Sequence, residues 1–348
     1  MPRPLLPALT SLLALLTLAP GAHAIRAYAP PPRPVLEVAA PAPVADDAPR
    51  DHLALQLGLN PTSARFTGLA QLGLTGTTAD SFQGVFQLSL FHNRATRFAG
   101  VVQPGPIWND ASEFRGVAQA GVVNTSDDFV GLTQVGGYNQ ARRFRGLMQV
   151  GVVTVAEEFT GLVQLGMFQY AGDFRGLLQV GLGGFSFAKS VTALAQVGSA
   201  VTFAENFQGV MMVSGANFVR HEFTGLMQLA IGVNHADDAL YGAQVALIHN
   251  RAGHVHGLQL GLVNLAARSG GGDSLDASDL DGVQLGGFNW AGDASGLQVG
   301  LVNASDRTSG VQVGLVNVTD HLRGVQLGLV NVSHDGGLPV APLMNVGW

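Results

Sequence analysis

Two stretches of this 348-residue chain carry side chains whose types and spacing could do chemistry. Between Asn264 and Gly282, "ARSGGGDSLDASDLDG" holds Asp273, Asp276, Asp279 and Asp281. Clustered carboxylates suit calcium, a hard cation that takes several oxygen ligands. Their spacing matches no calcium-loop pattern, and a solvated acidic insertion accounts for them. The second stretch, "HNRAGHVH", gathers His249, His254 and His256. His254 and His256 would share one face of a strand, where side chains alternate. Two imidazoles can begin a metal site, but a third ligand and its supporting partners are not visible nearby. These read as turn histidines. The chain shows no Gly-x-Ser-x-Gly elbow, no phosphate-binding loop and no His-Glu-x-x-His. The expectation is a protein that is not an enzyme, with no catalytic residue, metal or cofactor.

The remaining chemistry is that of amides, and it is repeated. "GVQVGLVN" at Gly310 returns as "GVQLGLVN" at Gly324. A catalytic site needs its residues once, whereas side-chain amides repeated at one position can bond to their own copies in a ladder. The candidate ladder residues are Gln284, Gln298, Gln312 and Gln326 with Asn289, Asn303, Asn317 and Asn331. Asn317, with a copy on each side, is expected to matter more than Asn331, which is nearer the end.

The same phrase marks almost the whole chain from His52 onward. Its early form, Phe-x-Gly-aliphatic-x-Gln-x-Gly, starts at Phe66, Phe82, Phe98, Phe114, Phe129, Phe144, Phe159, Phe174, Phe207 and Phe223, with Val191 in the slot once. From Gly257 the phenylalanine is gone and the form is Gly-x-Gln-x-Gly-x-x-Asn. Counting glutamines, with Met212 once in their place, gives about eighteen units, and periods this short and sustained signal a repeat architecture.

Each unit reads as strand and turn. Val311, Val313 and Leu315 alternate with Gln312 and Gly314, the period of a β-strand. Glycine recurring this often would cost a helix about 1 kcal/mol each. The predicted fold is all-β, a repeat protein built as a β-solenoid. Identical positions then stack, which rewards sameness, and the turn charges would place Arg97 by Glu113 and Arg143 between Asp128 and Glu158. The alternative is an antiparallel outer-membrane β-barrel acting as a channel or porin-like protein. A barrel needs strand stagger and alternates short turns with long loops, neither of which the even spacing supplies. Three features favour the barrel: Pro104 and Pro106 inside one strand slot, apolar residues on both faces of the early units, and the apolar alternation that ends on Trp348.

Composition sets the surroundings. The chain is 47% hydrophobic and 12% charged, with a net charge of −6. Charged residues usually make up about 25% of a domain, so ordinary solvated surface is scarce. No basic stripe invites nucleic acid. Residues 1–24 read as a signal peptide, with Arg3, an apolar Leu5–Leu18 stretch and a cleavage site at Ala22-His23-Ala24. Residues 25–50, rich in Pro and Ala, form a linker. Residues 51–348 form the β-repeat domain, with 269–281 as an acidic loop insertion.

The Gly-x-Gln-x-Gly-x-x-Asn phrases at Gly257, Gly282, Gly296, Gly310 and Gly324, with the ending "LPVAPLMNVGW", resemble the bacterial surface-repeat family first noted in spirochaetes. The likeness is good over 242–348 and looser over 52–232. It implies an exported or surface location and carries no established activity or catalytic residues. Gln134-Val-Gly136-Gly-Tyr-Asn139-Gln-Ala141 is similar to curlin repeats, as a shared ladder chemistry. The expected role is an exported, non-catalytic cell-surface or envelope protein that scaffolds or adheres. Its partners would be envelope or extracellular surface components, with outer-membrane association and self-association both open.

Overall fold

The computed structural model describes residues 51–52, 55–267 and 279–348. The expected signal peptide and linker, with Asp273 and Asp276, lie outside the described residues. Within them the chain winds as a stack of short coils in which like residues meet like. Phe129 pairs with Phe144, Gln134 with Gln149, Asn139 with Thr154 and Ala141 with Ala156. Every pairing between successive coils, from Asp51 to Asp335, is parallel. That decides between the two architectures. A barrel of hairpins would alternate strand direction, so the β-barrel alternative falls and the fold is an all-β parallel solenoid.

A single coil shows how the sequence winds. From Phe144 to Phe159 the inward residues are Phe144, Gln149, Thr154, Ala156 and Phe159, each at most 1% exposed. Bends divide the early coils into a short side carrying the glutamine and a long side carrying the asparagine, alanine and phenylalanine. In one coil these sides are Ala70–Gly73 and Gly76–Gln83. The bends fall at 68–69 and 74–75. Small alanines and flat rings on the long side let the two sides approach closely, and the amides fill the space between them.

The rings form a column. Eight phenylalanines from Phe66 to Phe174 stack at centroid separations of 4.8–5.1 Å and interplanar angles of 0–9°. The spacing equals the strand separation of a sheet, so one ring serves each coil. Each ring lies against the glycine two residues on. A Cβ at Gly146 would come 2.9 Å from the Phe144 Cζ and 2.5 Å from the Gly131 carbonyl oxygen. Where Val191 replaces the ring, the residue two on is Ala193.

The later coils are shorter because this corner loses a residue. Five positions separate Phe144 from Gln149, but four separate Leu322 from Gln326. The ring slot, which the sequence reading left empty beyond Phe223, is filled by Leu240, Val255, Leu280, Ala294, Thr308 and Leu322, all buried. Gly242 and Gly257 turn the tightened corner at φ of 136° and 143°, a region that L side chains avoid. A Cβ on Gly257 would lie 2.0 Å from the Gly242 carbonyl oxygen. Of the acidic segment 269–281, Asp279, Leu280 and Asp281 belong to a strand, with Leu280 seated on Val255. Leu280 is thus core.

Two features that favoured the barrel have local explanations. Pro104 aligns with Ala120 on the following coil, while pairing with the preceding coil shrinks to Phe86 and Val102. The missing N–H therefore costs rungs on one side only, and the Pro104 carbonyl accepts a bond from Asn93 Nδ2 at 2.9 Å. The apolar C-terminus forms a cap: Val340–Gly347 reverses and pairs antiparallel with Gly324–Asp335. Asn345 then donates to Gln326 at 3.3 Å, closing the glutamine row.

Candidate functional site

The amides form two ladders. On the short side each glutamine donates Nε2 to the Oε1 of the preceding coil's glutamine. The chain of bonds runs from Gln71 to Gln56 at 2.8 Å through Gln149 to Gln134 at 2.8 Å. In the late coils Gln298, Gln312 and Gln326 each donate back at 2.8 Å, the first to Gln284. On the long side the direction reverses: Asn289, Asn303 and Asn317 donate forward, ending on Asn331, each at 2.8 Å. The second amide proton bonds a backbone carbonyl of the next coil, as from Asn317 to Leu327 at 2.9 Å. The two rows of amide dipoles thus oppose one another along the axis.

Each ladder is interrupted once. Met212 occupies a glutamine position, so Gln228 Nε2 meets only its sulfur at 3.7 Å and the Gln196 Oε1 is buried with no hydrogen-bond partner. In the asparagine row Thr154, Gln169, Ser186 and Thr202 take the place of Asn. Thr154 Oγ1 and Gln169 Oε1 are likewise unpartnered.

The outer face of the long side carries the charge. Arg97 aligns with Glu113, and Arg143 lies between Asp128 and Glu158, as the turn charges suggested. Arg143 Nη2 donates to Asp128 at 2.6 Å, and that hydrogen bond holds the Asp128 carboxyl below its usual range. Later coils use histidine: His221 with Asp238 at 3.0 Å, His321 with Asp335 at 3.1 Å, His334 with Asp320 at 2.8 Å. Exposed pairs of this kind contribute at most about 1 kcal/mol each.

The candidate metal histidines are part of this pattern. His254 meets Asp279 at 3.2 Å and His256 meets Asp281 at 3.6 Å, while the His256 ring stacks on Tyr241 at 4.9 Å. Among the described residues no three His, Cys, Asp or Glu side chains gather to hold a metal ion. His249 stands apart. Burial, with His235 and Arg251 close by, lowers its pKa from 6.5 to about 4.

That shift has a definite sign. The folded state holds His249 neutral, and unfolding releases it to bind a proton below about pH 6.5, so the unfolded state binds more protons between about pH 6.5 and 4. Stability is full above this window and falls as pH drops through it. The loss is of order ~2–3 kcal/mol for a shift this size, since one pKa unit is about 1.4 kcal/mol. The expected result is that His249→Asn flattens the pH dependence of the thermal midpoint between pH 6.5 and 4. An unchanged slope would show that other groups cause it.

The outer face of the short side is the opposite of the charged one. Take the seven residues from two before each glutamine position to four after it, such as "LMQVGVV" at 147–153 or "GLQVGLV" at 296–302. In all eighteen such segments, from Gln56 to Gln326 with Met212 included, there is no Asp, Glu, Lys, Arg or His. The side chains point outward: Leu132, Leu147, Leu162, Leu177 and Leu194 form one column at 43–50% exposure. Leu247, Leu262, Leu301, Leu315 and Leu329 belong to a second, at 50–72%. Sequence reasoning saw neutral strands and missed that winding collects them on one side. The signal was available in the confinement of charge to the residues around each phenylalanine.

No protein-family model, no curated protein and no solved structure matches this chain. The fold and its ladders therefore stand on the chain's own geometry, and the surface-repeat likeness remains a resemblance of phrases.

Proposed function

We propose that the chain is an exported, non-catalytic surface or envelope protein whose work is scaffolding or adhesion. The observation that carries this reading is a regular stack of coils offering one long uncharged face along the described residues. At about 4.8 Å per coil, some eighteen coils make a rod of roughly 85 Å. Such a body presents the same surface many times over, which suits holding other envelope or extracellular components in a row. The export reading at residues 1–24 and the surface-repeat phrases agree with it.

The test is made in the native host. N-terminal sequencing of the mature protein should begin at Ile25, and protease added to intact cells should remove it. Protein that keeps Met1 and fractionates with the cytoplasm would overturn the proposal.

A further inference from the structure

We infer that the uncharged short side is an interface, and that its occupant is a second copy of this chain packed face to face. The inference concerns the fold alone and stands whether or not the chain is exported.

Area is the first argument. A strip about seven residues wide and some eighteen coils long covers on the order of 1,500 Å², from the spacings of strands and residues in a sheet. The largest apolar patch on an ordinary monomer is about 300–600 Å². A stable protein interface takes about 800 Å² from each partner. The strip exceeds both and resembles the half-core of an obligate dimer.

Periodicity is the second. Outward leucines rise along the axis in step with the ring column, whose separations are 4.8–5.1 Å. Knobs at this interval can interdigitate along the whole rod only with a surface of the same interval, and a second copy has it by construction. Sheets pack in this way at a separation of about 10 Å.

Continuity and charge complete the case. The reversed cap extends the strip, because Met344 aligns with Leu327 and Val346 with Val325. All four belong to the apolar outer surface, and Met344 is 56% exposed. A membrane-seated face usually carries a basic border, whereas the flanking charge here is of both signs and the chain is net −6.

The purified full chain should sediment as a dimer. Leu177→Glu with Leu194→Glu places two charges on neighbouring coils at mid-length and should give monomer with unchanged circular dichroism and a thermal midpoint lowered by what dimerisation contributes. Thr160→Glu, on the charged side, should remain dimeric. If the double variant fails to fold, a second measurement decides. The chain has no cysteine, so a spin label at Val180→Cys, central on the strip and at mid-length, reads its distance to its copy. A separation within about 20 Å supports the interface, given a sheet spacing of about 10 Å. A monomeric wild-type chain, a dimer that survives both glutamates, a label separation far beyond that, or monomer binding to phosphatidylcholine vesicles would each overturn it.

Discussion

Replacing Phe144 by alanine should lower the unfolding free energy by about 3–5 kcal/mol, the cost of emptying a core site that cannot close. Phe144 is fully buried, with Phe129 stacked on one side at 4.8 Å and Phe159 on the other at 4.9 Å. Collapse into the vacated space would need neighbouring coils to approach along the axis, but their backbone bonds already fix that spacing. Phe144→Leu keeps most of the volume and should cost less than half as much. Gly146→Ala tests the same site from the other side, since its Cβ would press on the Phe144 ring and on the Gly131 carbonyl. Ala193 beside Val191 shows that alanine is accepted there once the ring is gone. The double substitution Phe144→Val with Gly146→Ala should therefore destabilise less than the sum of its parts. Denaturant unfolding measures these four together with Phe144→Val alone, which completes the cycle. A loss below about 1 kcal/mol for Phe144→Ala would mean that the column is surface-like and contributes little.

Much of this fold could be read from the residues, and the limits have physical causes. The glutamine register gave the coil count, and the parallel stack follows from the need of identical amides to meet. The alignment of Arg97 with Glu113, and of Arg143 with Asp128 and Glu158, followed from the same register. The ring slot beyond Phe223 was lost because leucine, valine, alanine and threonine alternate there, so no one letter marks it. Leu280 was hidden among the aspartates of "SLDASDLDG" and was assigned to a loop. The uncharged side was invisible for another reason. In sequence an outward leucine beside an inward glutamine looks like any alternating strand, and only the bends at both ends of the short side sort outward residues into an apolar and a charged surface. The cap's ending counted towards the barrel alternative because a barrel terminus is also an apolar alternation ending in an aromatic. The reversal at 336–339 is carried by Gly336, Gly337 and Pro339 and leaves little trace in the period.

The cap also changes what the asparagine ladder should do when cut. By position alone Asn331 looks terminal and expendable, but Val340–Gly347 covers it completely, and its Nδ2 bonds the Ala341 carbonyl at 3.1 Å. Asn317→Ala leaves the Asn331 Oδ1 without its donor, the Leu327 carbonyl without a side-chain partner and Asn303 with one bond fewer. At about 1–3 kcal/mol for each buried group left unsatisfied, the expected loss is some 2–4 kcal/mol. Asn331→Ala strands the acceptor at Ala341 and loosens the cap, so its loss should be of similar size. Met212→Gln is the converse experiment. Its neighbours in register are Gln196 and Gln228, and the unpartnered Gln196 Oε1 awaits a donor. A glutamine of nearly the same volume would join the two halves of the ladder and should raise stability by about 1–2 kcal/mol, the worth of satisfying a buried acceptor. Denaturant midpoints of the three variants test the ladder as a unit. If Asn317→Ala proves mild while Met212→Gln destabilises, side-chain amides are passengers in a stack held by its backbone, and the repetition of Gln and Asn needs another cause.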